Sequence, residues 1–387
     1  MTIQLKGITW NHTRGYVPMV AASQRFAELH PGISIDWDKR SLQEFADAPI
    51  QNLIERYDLL VIDHPWAGYA AEHRALIDLG ALLPSSYLAD QAANSVGLSH
   101  ESYRFNGAQT ALAIDAATPV ASYRADLMER EGMRPPETWE ELLTLARGGR
   151  VALPGIPIDS LMNFYMLCAT LGEAPFVSAE RVALRSTASQ ALEMYRELAS
   201  LCPAGIYEWN PIAVYEAMTG TDEFLYCPFA YGYSNYSRAG YARNVLTFAD
   251  LVSLRGRGRL QSTLGGTGLA VSAGCRHTDA AVRFAAFAAD PAIQQTLYVE
   301  SGGQPGHRAA WVSDEVNRRS GNYFRLTLPA LDRAYMRPRY DGYLHFQDLA
   351  GDVVRDYLRD GGSIDRTLDR LDALYAESLR LRGGKQP

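Results

Sequence analysis

The strongest constraint on the fold is a hydrophobic period that switches repeatedly through the first hundred residues. Residues 3–10, "IQLKGITW", read as a strand, and a helix-like pattern begins behind Pro18. Met19, Ala22, Phe26 and Leu29 then fall on one face of that helix, which stops at His30-Pro31. "ISIDW" alternates strictly, as a half-buried strand does, and "DLLVIDH" (58–64) is a short continuous apolar run. Such a run suits a parallel strand covered on both faces. Strands alternating with helices imply right-handed βαβ units around a parallel sheet. Ligands bind such sheets beyond the carboxyl ends of the strands. Two polar clusters, Asn11 to Arg14 and Asp63-His64, follow strands at that end.

The pattern continues into a second α/β unit over 117–264. "RPPETWEELLTLARGG" (134–149) is punctuated as a helix: two prolines, then Thr138 and Glu141 in capping-box spacing, then Gly148-Gly149. Trp139, Leu142, Leu143 and Ala146 form its apolar face. "RVALPGIPIDS" reads as a strand running into a loop, followed by an apolar helix to Leu171-Gly172 and another near 187–201. "EFLYCPFAYGYSNYS" (223–237) reads as a strand opening into a Tyr/Gly/Ser/Asn loop. Beyond "LGGTGLAVSA" amphipathic helices resume, at 279–289 and from Asp290-Pro291. The last sixty residues place Phe346, Leu349, Val353 and Tyr357 on one helical face, then Ile364, Leu368, Leu371, Tyr375 and Leu379 on another.

A chain of 387 residues exceeds the size at which one core stops growing, so two domains are expected. Net charge is −7 with no basic stripe, which argues against nucleic acid as a partner. No apolar run reaches the ~18 residues of a membrane span. "MTIQLKGITW" has none of the features of a secretory leader, so the expectation is a cytoplasmic protein unless a leader has been removed. Cys168, Cys202, Cys227 and Cys275 match no metal or redox spacing; buried thiols are expected, with a disulfide left open.

The segments "DLLVIDHPWAGYAAEHRALIDLGALLP", "TPVASYRADLMEREGMRPPETWEELLTLA", "GGTGLAVSAGCRHTDAAVRFAAF" and "SGGQPGHRAAW" occur in a telling order and spacing. Together they resemble the extracellular solute-binding proteins of ABC importers, in the sugar-binding branch that includes maltose-binding protein. The resemblance runs from about residue 3 to 376. It implies an α/β fold of type II with two lobes, hinge crossovers and an interlobe ligand cleft. Crossovers are expected near Ala116, Leu264 and Trp311. Lobe one would be 1–115 plus 265–312, and lobe two 116–264 plus 313–387. A periplasmic or extracellular location, a small-molecule ligand, ABC permease subunits as partners and a monomeric state follow as expectations.

Within that frame the candidate ligand residues are Trp10, His12, Arg14, Asp63, His64, Trp66, Asp115, Tyr231, Tyr233, Asn235, Gly265, Gly266, Gly303 and Gln304. A carboxylate at Asp63 can accept hydrogen bonds from vicinal hydroxyls, and the Trp66 indole can stack on a sugar ring. Alternatively, Asp63 caps the next helix and Trp66 fills the core. Arg14 offers a planar fork for a carboxylate or phosphate; its alternative partner is an acid of the protein, Asp63 or Asp115. Asp115 either meets ligand or braces the hinge. Gly265-Gly266-Thr267-Gly268 precedes a strand and is no dinucleotide fingerprint, so close backbone approach is expected there. Gly302, Gly303 and Gln304 follow a helix whose stop is an αL glycine. Tyr231, Tyr233 and Asn235 are the candidates of lobe two, with a Tyr-rich packing loop as the alternative.

Hydrolase, P-loop and zincin motifs are absent from the sequence, so no catalytic residue, metal ligand or cofactor is expected. The leading reading is a binding protein that delivers a small polar solute, carbohydrate-like or a hydroxylated acid, to an ABC-type permease. The competing reading is a cytoplasmic enzyme or sensor on the same fold, using the His/Asp/Arg cluster.

Overall fold

The computed structural model describes residues 2–42, 44 and 50–381. In chain order the main elements begin with β1 (Ile3–Trp10), α1 (Thr13–Leu29), β2 (Ile33–Arg40), β3 (Leu59–Ile62), α2 (Trp66–His73) and β4 (Leu112–Ala117). Then come β5 (Pro119–Tyr123), α3 (Trp139–Arg147), α4 (Pro157–Leu171), α5 (Arg185–Ser200), α6 (Pro211–Gly220), β6 (Tyr226–Tyr231) and β7 (Thr247–Ala249). β8 (Gly265–Val271), α7 (Thr278–Ala288), α8 (Tyr323–Asp332), α9 (Tyr343–Asp360) and α10 (Ile364–Arg380) complete the set. The chain forms two compact units. One holds residues 1–117, 265–319 and 339–341; the other holds 118–264, 320–338 and 342–387. The third passage between them therefore falls at Arg319–Ser320, and a tripeptide, Arg339–Asp341, returns to the first unit.

The first unit is built on a five-stranded sheet in the order β2-β1-β3-β8-β4. β1 is parallel to β2 and β3, whereas β8 is antiparallel to β3 and β4. The sheet is thus mixed, not purely parallel. β8 enters it directly from the other unit, without the crossover helix that a parallel connection needs. One core packs α1 and α7 on the sheet: Leu5, Met19, Phe26, Trp37, Val61, Leu269 and Phe284 are buried together. Phe26 meets Phe284 edge-on with centroids 5.4 Å apart. Gly7 is required here, because a Cβ would lie 2.6 Å from the Trp37 ring.

α1 begins at Thr13, five residues before Pro18, where a helix start behind the proline was expected. The His12 side chain accepts from the Arg14 N–H, and the His12 carbonyl accepts from Gly15 and Tyr16. These bonds close the first turn, and Pro18 lies inside the helix without ending it. His12 to Gly15 of the polar cluster are consequently the helix cap and first turn.

The second unit contains a three-stranded antiparallel sheet, β6-β5-β7, among helices. The strand expected at "RVALP" is reduced to a single bridge, Val151 to Tyr226. Thr138 caps α3 by accepting from the Glu141 N–H at 3.2 Å, and Glu141 accepts from the Glu137 N–H at 2.8 Å. α4 is buried along nearly its whole length. α9 approaches it closely at Gly351, where a Cβ would lie 2.8 Å from the Pro157 backbone. The buried stripe of α9 is Tyr343, Phe346, Ala350, Val354 and Tyr357. Leu349, expected inside, is 39% exposed. Small residues at the contact rotate the helix away from the face that large side chains alone indicate.

All four cysteines are free, with Cys202 half-buried and the rest buried. Among the described residues no helix is long and apolar enough to cross a membrane.

Candidate ligand-binding site

Strands β1, β3 and β4 of the first unit end at one edge of the sheet, where antiparallel β8 begins with Gly265 opposite Ala117. That carboxyl edge gathers Trp10 to Arg14 after β1, Asp63-His64 after β3, Asp115 in β4 and Gly265 to Thr267 in β8. Sequence patterning had pointed to this edge from the first two clusters.

Arg14 is 4% exposed and Asp115 1%. Arg14 Nε donates to Asp115 Oδ2 at 2.8 Å, and Arg14 Nη2 donates to Asp115 Oδ1. Burial pushes the Asp115 carboxyl up; Arg14 and the Gln304 N–H pull it back. A bidentate, wholly buried pair of this kind sets both charges against each other. His12, beside it, is held to a pKa of about 4 by burial and then by the charge of Arg14. It is therefore neutral at pH 7, with Nδ1 accepting from the Arg14 N–H at 3.0 Å. Trp10 is buried against the same turn: a Cβ on Gly15 would lie 2.3 Å from its indole.

Asp63 accepts from the His64 N–H at 2.8 Å, and its side chain remains 20% exposed. α2 has no side-chain cap at Pro65. His64 is fully buried, with Nδ1 3.2 Å from Asp63 Oδ1 and its ring edge-on to Tyr103. Trp66 opens α2, is 8% exposed and lies edge-on to Tyr69.

Gly266 has φ +98°, and a Cβ there would lie 2.3 Å from the Asp115 carbonyl oxygen, so the close backbone approach is a strand contact. Gly302 adopts φ +100° at a helix end, the αL stop that the sequence indicated. Gly303 leaves no room for a Cβ, which would lie 2.2 Å from the Tyr298 ring. Gln304 is fully buried; its Nε2 donates to the Ala116 carbonyl at 3.1 Å, and its carbonyl accepts from the Ala116 N–H at 2.9 Å. The segment 304–306 thereby runs along β4 and braces Asp115.

In the second unit Tyr231 ends β6, with its hydroxyl 3.4 Å from Thr263 Oγ1. Tyr233 and Asn235 are 4% and 1% exposed. Tyr233 belongs to an aromatic cluster with Tyr215, itself edge-on to Phe248.

Sequence patterning singles out the glycines around Thr267 but neither its hydroxyl nor the buried Gln294 that braces the same strand. Gln294 is fully buried and donates to the Ile114 and Ala288 carbonyls while accepting from the Gly306 N–H. A polar residue inside an amphipathic helix gives no periodic signal. His307 caps a short helix, its side chain accepting from the Ala309 N–H. Among the described residues no cluster of His, Cys, Asp or Glu is arranged to hold a metal ion. The edge presents a partly exposed carboxylate, Asp63, among buried polar side chains and backbone.

A family model described as bacterial extracellular solute-binding protein matches residues 21–318. Several solved structures share the fold. A maltose-bound MalE3 of T. maritima is 18% identical, covers 97% of this chain and 99% of its own, and superposes with a TM-score of 0.83. An ABC transporter solute-binding protein of Agrobacterium radiobacter, in complex with ribitol, is 18% identical over 97% and 98%, TM-score 0.81. One of Agrobacterium vitis with bound D-mannitol is 16% identical over 98% and 99%, TM-score 0.77.

Proposed function

The chain belongs to the bacterial extracellular solute-binding proteins, and from that premise we propose that it binds a small neutral polyhydroxylated solute, a sugar or sugar alcohol, for delivery to an ABC-type permease. The observation that carries the charge of the ligand is the Arg14–Asp115 pair. Both acceptor oxygens of Asp115 are taken by the guanidinium, so the cation that would have favoured an acidic ligand is neutralised within the protein. The nearby carboxylate with exposure left is Asp63, which accepts from hydroxyls and repels an anion. The fold neighbours bound to maltose, ribitol and D-mannitol support the same class, since all three ligands are neutral polyols. The family's description supports an extracellular or periplasmic site of action, and we take the protein to act there as a monomer. Delivery requires that the ligand favour one conformation over another, because a permease can select the loaded protein only through such a difference.

Thermal-shift and calorimetric titrations with maltose, ribitol, D-mannitol and D-gluconate test this reading. A neutral ligand at 100 times its dissociation constant should stabilise the fold by about 2.7 kcal/mol, with gluconate inert. Gluconate binding best of the four would overturn it.

A further inference from the structure

We propose that Thr267 is a ligand-contacting residue whose hydroxyl, beside the Asp63 carboxylate, hydrogen-bonds one of two adjacent hydroxyls of the bound polyol. The inference rests on the binding function proposed above and adds to it a residue and the group it recognises.

The argument starts from register. β8 pairs Gly268 with Ile62 of β3 and Thr267 with Asp115 of β4. The β8–β3 ladder ends at that pair, and the next residues toward the sheet edge are Thr267 on β8 and Asp63 just after β3. Thr267 is therefore paired with one carboxylate of the edge, Asp115, and lies one step beyond the ladder beside the position of the second, Asp63. Residues opposite one another in neighbouring antiparallel strands share a face, with Cβ atoms about 5 Å apart.

The two carboxylates differ. Asp115 is consumed: it accepts twice from Arg14 and again from the Gln304 N–H. Asp63 keeps a fifth of its side chain accessible, at 20% exposure. Thr267 is 4% exposed, and its Oγ1 has no hydrogen-bond partner among the described residues. Buried hydroxyls are nearly always bonded, because an unmade bond leaves the full desolvation penalty in place. Valine would fill the same space without that penalty and suits a strand better.

The local backbone is also specialised. Between Thr267 and Gly268 the partner strand advances from Asp115 to Ala113, so Ile114 is an extra residue in β4. Its carbonyl accepts from Gln294 Nε2 and from the Gly306 N–H, each at 3.2 Å. Bulges of this kind re-aim side chains and are enriched next to binding sites. A hydroxyl that can both donate and accept, next to a carboxylate that only accepts, matches a vicinal diol. One ligand hydroxyl donates to Asp63 and its neighbour exchanges a bond with Thr267.

The test uses Thr267→Val, Thr267→Ser and Thr267→Ala, titrated calorimetrically with maltose, ribitol and D-mannitol alongside wild type. Melting of each ligand-free protein is recorded in parallel. For whichever probe wild type binds, T267V should lose roughly tenfold in affinity, T267S should stay within about threefold, and the ligand-free Tm of T267V should equal or exceed that of wild type. T267A repeats the affinity arm if T267V does not fold. Unchanged affinity in T267V and T267A would overturn the inference while leaving the binding function intact. So would a lower ligand-free Tm with unchanged affinity, which would assign the hydroxyl to the fold. Wild type binding none of the three probes would remove the proposed function itself, and this inference with it.

Discussion

Arg14, in the first turn of α1, and Asp115, in β4, are joined by two parallel hydrogen bonds across 101 residues of sequence, and both side chains are almost wholly out of water. The pair ties the amino end of the helix to the far edge strand of the first unit's sheet. Removing one partner of such a pair strands a buried charge.

Arg14→Met should therefore destabilise the protein by about 3–5 kcal/mol, whereas Arg14→Met with Asp115→Leu should recover most of that loss. Urea unfolding of the two single variants and the double variant measures the coupling directly. An additive double variant would mean the two charges are solvated independently.

Asp63→Asn should weaken polyol binding by tenfold to a hundredfold, because a hydrogen bond to a charged acceptor contributes about 1.5–3 kcal/mol. Its effect on the ligand-free fold should be small, since the Asn Oδ1 can still accept from the His64 N–H. Calorimetric affinity set beside ligand-free Tm separates the two.

His12 predicts an acid-side slope. Its pKa is lowered to about 4 in the folded protein by burial and by Arg14, against an ordinary 6.5. The unfolded chain thus binds more protons between those values. The contribution is complete above pH 6.5 and is lost as pH falls through 6.5 towards 4, by roughly 2 kcal/mol after allowance for the ring's partial exposure. His12→Asn keeps a capping acceptor and should flatten that segment of the stability profile.

Asp159 predicts the opposite slope in the second unit. It lies in the first turn of α4 at 4% exposure, with no partner for Oδ2 among the described residues. Burial raises its pKa to about 8 from 3.8. The folded state therefore binds more protons between those values, and stability falls as pH rises from 4 to 8, by up to about 1.4 kcal/mol per pH unit. Asp159→Asn mimics the protonated form and should remove the slope. A slope unchanged in that variant would place its origin elsewhere.

Gly68 in α2 predicts a steric failure. A Cβ there would lie 1.6 Å from the carbonyl oxygen of Arg339. Arg339 is anchored in the same unit, with Nη1 donating to the carbonyls of Glu101, Ser102 and Arg104. Gly68→Ala should destabilise by about 1–3 kcal/mol, and increased proteolysis near residues 339–341 would locate the damage.

The sequence alone determined the alternation of strands and helices, the capping of α3 by Thr138 and the strand ends at Asn11 and Asp63. These follow from periodicity and turn chemistry over a few neighbouring residues. Family resemblance carried the fold class, because the order of segments is itself a property of sequence. What Arg14 does was decided only in three dimensions. Its two admissible partners, a ligand anion or a protein carboxylate, have the same local signature, and the choice depends on which acid the sheet brings within bonding distance. The antiparallel insertion of β8, the buried stripe of α9 and the position of Thr267 were likewise set by tertiary contacts. Register between strands and close approach at small residues are relations between distant segments, and no local period encodes them.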